Sequence, residues 1–106
     1  MYPAADLSTD AARVAVTPPA PDDGEGRSEY RVLANTVPQV ILRILGLFAQ
    51  LDMLPRRVRM DVVDDMIWVA LTVDGLTQHR AEIIAAKLRA LIDTEVVDLT
   101  WAKTPR

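Results

Sequence analysis

The sequence has no cysteine and is poor in histidine and aromatic residues. Among 106 residues there is one histidine, and Phe, Trp and Tyr together make up 5%. Disulfides and thiolate metal sites are therefore excluded, and the composition suits a reducing compartment. His79 has no second metal ligand at helical spacing, so we expect a solvent-exposed side chain there. The sequence predicts neither a metal site nor a cofactor.

Long apolar runs and an excess of basic residues are also missing. No stretch approaches the roughly 20 apolar residues that cross a bilayer, and the N terminus has no basic start with an apolar run. The 12 basic and 15 acidic side chains give a net charge of −3. Proteins that bind nucleic acid or membrane surfaces carry clustered basic faces instead. We therefore expect a cytoplasmic protein that binds neither nucleic acid nor membranes.

Composition divides the chain into a tail and one domain. Residues 1–27 are rich in proline and acidic residues and contain few large apolar side chains. Such a segment cannot offset the entropy lost on ordering, which predicts a disordered N-terminal tail. We expect one folded domain over residues 28–103 and a C-terminal end at residues 104–106.

The domain alternates strand patterns with helix patterns. Alternating apolar residues predict four strands, at Ser28–Asn35, Arg56–Val63, Met66–Val73 and Val96–Ala102. Apolar stripes predict two helices, Val37–Leu51 with Thr36 as N-cap, and a second from the N-cap Thr77 to about Ile92. The order β-α-β-β-α-β with right-handed crossovers predicts an α+β, ferredoxin-like fold. In this fold both helices cover one face of a four-stranded antiparallel sheet.

Within this fold, the second strand and the first helix carry specific expectations. Val58, Met60 and Val62 share one face of the second strand, and we expect the helices to cover that face. Gly46 is interpreted as a point where the first helix packs closely on the sheet. The basic residues Arg56, Arg57 and Arg59 leave two interpretations open. They either protect an edge strand from aggregation or contact an acidic patch on a partner.

Two motifs resemble a known family. The segment Pro38–Phe48, PQVILRILGLF, resembles the first loop and helix of an ACT domain. It is most similar to the small regulatory subunit of acetolactate synthase, where the pattern is Asn-x-Pro-Gly-Val-Leu-x-Arg-Val-x-Gly-Leu-Phe. Lys87–Asp93 followed by Val96-Val97 is similar to the second helix and closing strand of that family. The resemblance covers residues 29–102.

The resemblance implies a regulatory protein of branched-chain amino acid biosynthesis that performs no chemistry itself. ACT domains often pair edge to edge and bind amino acids at the interface, so a homodimer and an amino-acid effector are implied. A catalytic synthase subunit is the implied partner. The alternative is a stand-alone ACT homodimer that acts as an interaction or small-molecule-binding module without a synthase.

The resemblance also implies where an effector would bind. The site would combine the first loop of one chain with the start of the second strand of its neighbour, here Asn35, Thr36, Val37, Pro38, Gln39, Val40 and Leu54. Thr36 replaces Asn or Asp of the family, Gln39 replaces Gly, and Leu54 replaces Asn. A side chain at position 39 obstructs close backbone approach, and Leu54 offers a zwitterion no polar contact. We therefore expect weak or no binding of valine, leucine or isoleucine.

Other functions of the same fold find no support in the sequence. An acylphosphatase-like enzyme needs a glycine-containing phosphate loop with a catalytic arginine, and the loop Thr36–Gln39 has neither. An RNA-recognition module needs aromatic residues on both central strands, whereas Trp68 is the single candidate. We therefore predict no catalytic residue and no enzymatic activity.

The predicted fold also favours a homodimer. Its second and fourth strands lie at the sheet edges, and exposed edges tend to pair, most often in a two-fold dimer. Leu42, Ala49 and Met53 lie at i, i+7 and i+11, as a second apolar face of the first helix. We expect this face, together with Arg57 and Arg59 of the second strand, to form the dimer interface.

Overall fold

The protein is described by a computed structural model that covers residues 24–104. Its elements are β1 (Gly26–Asn35), α1 (Pro38–Gln50), β2 (Arg57–Val63), β3 (Met66–Leu76), α2 (Gln78–Arg89) and β4 (Thr94–Lys103). The strands form one antiparallel sheet in the order β2-β3-β1-β4. The predicted ferredoxin-like fold is confirmed. Residues 1–23 of the predicted tail lie outside the described residues, and β1 includes Gly26 and Arg27, which the prediction placed in that tail.

The central strand β1 sets the two faces of the sheet. It pairs with β3 and β4, so that Val32 lies opposite Val69 on one side and Val97 on the other. These three side chains point toward the helices and are buried. Glu29 and Arg31 point to the opposite face, which neither α1 nor α2 covers. We call this second surface the open face.

The core lies between the sheet and the two helices. α1 contributes Val40, Ile44 and Phe48, and α2 contributes four buried residues, Ala81, Ile84, Ala85 and Leu88. Tyr30 of β1 reaches into this core. Its ring meets the edge of Phe48 with the ring centroids 5.8 Å apart. Burial of a large apolar side chain stabilises the fold by about 1.5–3 kcal/mol.

The two helices begin in different ways. The Thr77 Oγ1 atom accepts a hydrogen bond from the Arg80 N–H at 3.2 Å, so the predicted N-cap of α2 is confirmed. The predicted N-cap of α1, Thr36, is wrong. Pro38 occupies the first turn and holds the preceding residue, Val37, in an extended conformation, so Val37 becomes the N-cap. Among residues 24–104, no side chain makes an N-cap hydrogen bond to this helix.

Two packing predictions are wrong. A Cβ added at Gly46 would meet nothing within 4 Å, so this glycine does not mark a close contact with the sheet. All seven residues of β2 are exposed, and Met60 at its centre keeps 50% of its surface. The helices therefore leave this edge strand uncovered on both faces. Among residues 24–104, no helix is long and apolar enough to cross a membrane.

Candidate functional site

The β1–α1 loop is attached to two neighbouring turns. The Asn35 N–H donates to the carbonyl oxygen of Asp93 at 2.8 Å, and the Thr36 N–H donates to that of Asp65 at 3.3 Å. Asp65 belongs to the β2–β3 turn, and Asp93 to the α2–β4 turn. Asp64 and Asp93 adopt positive φ angles of 55° and 75°, which aspartate tolerates better than most residues. These bonds hold the loop between the two turns.

A polar cluster lies beside this loop. The Asn35 Nδ2 atom is 3.4 Å from Asp93 Oδ1 and 3.4 Å from Glu95 Oε2. Arg43 of α1 donates to Asp93 Oδ2 at 3.0 Å. The cluster engages the Asn35 amide within the chain, so that a ligand would have to compete with carboxylates for it. The sequence does not predict the cluster, because Asp93 lies 58 residues from Asn35 and no local pattern signals such a contact.

The predicted effector residues do not all lie at the β1–α1 loop of one chain. Thr36, Pro38 and Gln39 are exposed at the loop, whereas the Val40 side chain is fully buried in the core and faces no ligand. Leu54 is 89% exposed, but it lies beyond the far end of α1. The 13 residues of α1 span about 20 Å. One chain therefore does not bring Leu54 to the loop.

The residues predicted for the dimer interface also lie apart. Leu42 and Ala49 are exposed on the outer face of α1. Met53 follows the end of the helix, where Asp52 turns the chain with a φ of 58°, and it packs against the core. The remaining two residues, Arg57 and Arg59, belong to the open face. In a single chain these five residues do not form one continuous face.

The apolar face of β2 that the sequence predicts is exposed on the helix side of the sheet instead of covered. Val58, Met60 and Val62 are exposed there by 44%, 50% and 62%. Arg43 binds Asp93 and so directs one flank of α1 toward the α2–β4 turn. Leu45 follows Arg43 by two residues, about 200° around the helix axis, and so lies on the flank of α1 away from that turn. We call the surface of Val58, Met60 and Val62 the β2 apolar surface.

At one end of the open face, a carboxylate holds two arginines. Arg27 Nε donates to Asp74 Oδ1 at 2.8 Å, and Arg56 Nη1 donates to Asp74 Oδ2 at 2.9 Å. The hydrogen bond from Arg27, followed by that from Arg56, holds the pKa of Asp74 below its usual range. Asp74 is therefore a carboxylate at neutral pH and orients both guanidinium groups.

Acidic and histidine side chains form no metal centre in the part of the chain that the structure describes. Within residues 24–104 no three of them are grouped to hold an ion. His79 is exposed on α2, as predicted.

Comparison with known proteins agrees with the fold. Residues 22–106 match the sequence profile of a family described as ACT-like domain. The crystal structure of the ACT domain from GTP pyrophosphokinase of Chlorobium tepidum is 14% identical, with a TM-score of 0.64, and the alignment covers 72% of this chain and 99% of that one. The C-terminal domain of the MgtC protein from Mycobacterium tuberculosis is 19% identical, with a TM-score of 0.58 and coverages of 79% and 95%.

At these identities, the structural neighbours establish the fold alone. No curated protein matches the chain by sequence. The neighbours named above do not confirm the narrower resemblance to the small subunit of acetolactate synthase. The family profile, in contrast, covers the whole of the described sheet and both helices. The chain therefore belongs to the ACT-like domain family.

Proposed function

We propose that the chain is a non-catalytic regulatory ACT domain that works as a homodimer paired through β2. One observation carries this proposal: every residue of β2 is exposed, and the strand lies at a sheet edge. An edge strand offers unpaired backbone N–H and C=O groups to another strand. The adjoining β2 apolar surface adds side chains whose burial favours association.

The sequence of β2 is complementary to itself. In an antiparallel pair centred on Met60, Arg59 lies opposite Asp61 of the partner subunit, and Val58 lies opposite Val62 of the partner subunit. A pair centred on Arg59 would place two arginines directly opposite each other, which is destabilising. Charge and apolar matching therefore both favour the register centred on Met60.

This register also has a consequence for the effector site. Antiparallel pairing brings the beginning of one β2 strand beside the end of the other. The β1–α1 loop lies near that end, because Thr36 is bonded to the β2–β3 turn. We propose that Gln39 of one protomer and Leu54 of the partner subunit face each other across the interface. A site made from these two residues has few polar groups for an amino acid, so regulation through protein contacts is the main function that we propose.

A narrower form of the proposal is the regulatory subunit of an acetolactate synthase. It rests on the motif Pro38–Phe48 and its resemblance to that small subunit. The alternative is a stand-alone homodimer with another partner. Affinity purification from the native host at near-native expression separates the two. Recovery of a thiamine-dependent synthase supports the narrower form, and its absence supports the stand-alone module.

Sedimentation equilibrium at micromolar concentration tests the homodimer. We expect the unmodified chain to sediment as a dimer and Met60→Lys to sediment as a monomer, because the variant places two charges at the centre of the interface. Ile83→Lys is the matched control, since Ile83 is an exposed apolar residue of α2. Leu42→Asp tests whether the outer face of α1 contributes as well.

Circular dichroism of all three variants checks that the fold is retained. A monomeric unmodified chain would contradict the proposal, and so would a Met60→Lys variant that stays fully dimeric.

A further inference from the structure

The open face carries a shallow trough with an unusual number of arginines. Two adjoining cavities of about 350 and 380 Å³ share Glu29, Arg57 and Thr72 as lining residues. Five arginines line them, namely Arg27, Arg31, Arg56, Arg57 and Arg59. Neither cavity involves the β1–α1 loop or the β2 apolar surface.

The register of the sheet explains the shape of the trough. Arg59 of β2, Ala70 of β3 and Arg31 of β1 form one row across three strands. The small side chain of Ala70 thus lies between two long guanidinium arms, whose Cα atoms are about 10 Å apart for two strand spacings. In the next row Thr72 lies between Arg57 of β2 and Glu29 of β1. Small residues form the floor, and three arginines with Glu29 form the walls.

The charges of the trough are not balanced within it. Five arginines are accompanied by four carboxylates, Glu29, Asp61, Asp74 and Asp98, the last directly opposite Arg31, so the region carries +1 on a chain whose total is −3. The rest of the chain therefore carries −4. A local positive charge on an acidic protein attracts anions to this face in preference to the others.

The middle of the trough has the arginines that are least engaged. Asp74 holds Arg27 and Arg56 at one end. Arg59 is 3.9 Å from Asp61, the outer limit of an ion pair. Within residues 24–104 no ion pair involves Arg31 or Arg57, and the Arg31 guanidinium lies 5.4 Å from the ring centre of Trp68. Guanidinium groups without a close ion-pair partner can form bidentate hydrogen bonds to an oxyanion.

The strands to which these arginines belong distinguish the two interpretations of the basic residues, edge protection and contact with a partner. Charges that protect a sheet edge belong on the edge strand, so this interpretation applies at most to Arg57 and Arg59 of β2. Arg27 and Arg31, however, belong to β1, which is paired on both sides and needs no protection. Edge protection therefore does not explain the trough as a whole.

We propose that the trough binds a small polyanion that carries at least two phosphate or carboxylate groups. Arg31, Arg57 and Arg59 make the principal contacts over the floor of Ala70, and Trp68 borders the site. Each cavity falls in the volume range of small-molecule sites, which is about 300–1,000 Å³. This site goes beyond the proposed function, since it lies on the face opposite the helices, although Arg57 and Arg59 also belong to β2, the strand that pairs in the proposed dimer.

Isothermal titration of the full chain at low ionic strength tests the site, with pyrophosphate and citrate as the two probes. We expect saturable binding of at least one probe and a loss of about tenfold or more in affinity in Arg57→Gln/Arg59→Gln, because two bidentate partners are removed. The matched control is Arg80→Gln/Lys87→Gln, which removes the same charge from the exposed surface of α2. We expect its affinity to stay within about twofold of the unmodified chain.

The choice of probe distinguishes the chemistry of the ligand. Binding of pyrophosphate alone indicates a phosphorylated ligand, and binding of citrate alone indicates a polycarboxylate. No binding of either probe at millimolar concentration overturns the proposal and leaves an acidic protein surface as the candidate partner. An equal loss in both double variants also overturns it, because it would show non-specific attraction to net charge.

Tryptophan fluorescence locates the bound anion. The chain has two tryptophans. Trp68 borders the trough, whereas Trp101 donates its indole N–H to the Leu76 carbonyl at 2.8 Å. We expect the anion to change the emission of the unmodified chain and not that of Trp68→Phe. The variant Met60→Lys should retain binding even as a monomer, so failure of the dimer proposal and failure of this one are distinguishable.

Discussion

The hydroxyl of Tyr30 is a polar atom in the middle of an apolar core. It donates to the Ala81 carbonyl at 2.9 Å. Burial raises the pKa of Tyr30 to about 12, and the nearby Ser28 hydroxyl opposes this shift only in part. The folded state thus holds the phenol proton more tightly than the unfolded chain, whose tyrosine pKa is about 10.

This shift predicts a specific loss of stability at alkaline pH. The stabilisation is fully present below pH 10 and is lost as the pH rises toward 12, because the unfolded chain releases the proton first. We expect Tyr30→Phe to abolish this part of the pH dependence and to cost about 1 kcal/mol at pH 7, since the Ala81 carbonyl loses its donor. Urea unfolding between pH 7 and about 11.5 measures both effects. Equal slopes with pH in the two proteins would contradict this assignment.

At the level of single residues, sequence patterns predict orientation but not partners. Alternation along β1 puts Tyr30, Val32 and Ala34 on one face, and all three are buried on the helix side. The acceptor of the Tyr30 hydroxyl lies 51 residues away, and no spacing rule connects the two. The same holds for Asn35 and Asp93 beside the β1–α1 loop. Such contacts depend on how the elements pack, which local periodicity does not encode.

Among the elements, α1 contains a helical glycine with free space around it. A methyl group at Gly46 would meet nothing within 4 Å. We therefore expect Gly46→Ala to raise the free energy of unfolding by about 1 kcal/mol, because alanine loses less backbone entropy in a helix. Urea denaturation measures the change.

Gly75 is a matched control for this substitution. It also has nothing within 4 Å of an added Cβ, but its φ is +87°, in the region that favours glycine. Gly75→Ala should therefore lower the stability. Both variants replace glycine with alanine at a position with free space for the added methyl group, and the two positions differ in backbone conformation. Destabilisation by Gly46→Ala would mean that the outer face of α1 is in contact with another surface in solution.

The helices and strands themselves were predictable from the sequence. Which strand faces the helices cover, and the residues at which the elements end, were not. Period-two alternation correctly identifies β2, yet it reports only that Val58, Met60 and Val62 share a face. It does not report whether a helix lies above that face. The helical spacing of Met53 predicts a place on a second face of α1, but the helix ends at Gln50 and the chain turns at Asp52. Helix length, unlike helix face, depends on such local turns.

For the molecule as a whole, the effector prediction can be tested directly. A ligand that binds the native state raises the melting temperature by mass action. We expect no shift with millimolar valine, because Gln39 and Leu54 replace the groups that would contact an amino acid. Thermal denaturation with and without valine measures this. A clear upward shift in the unmodified chain would contradict the prediction.

The double variant Gln39→Gly/Leu54→Asn is the positive counterpart of this test. It restores the family residues at both positions, and we expect it to be the change most able to create a valine-dependent shift. If neither protein responds, the engaged Asn35 amide is the next residue to examine, because Asp93 and Glu95 already accept from it.

The whole fold followed from the order of the patterns, since few topologies join β-α-β-β-α-β with right-handed crossovers. The ACT-like family followed from the loop and helix motif of residues 38–48. The specific branch did not follow, because the residues that would distinguish it are those at which this chain departs from the pattern. The sequence did not predict the trough either, because its arginines come from β1, β2 and the residue before β2 and are brought together only by the sheet register.

The central position of β1 also determines when the domain can form during protein synthesis. This strand is made first, yet both of its neighbours are made later, and Tyr30 pairs with Leu99 of β4. A nascent chain that ends before Thr94 has only the β3 side of β1 paired, with the other side open to foreign strands. Such non-local pairing slows folding relative to helical domains. Until β4 has been made, one edge of β1 is therefore open to pairing with strands of other chains.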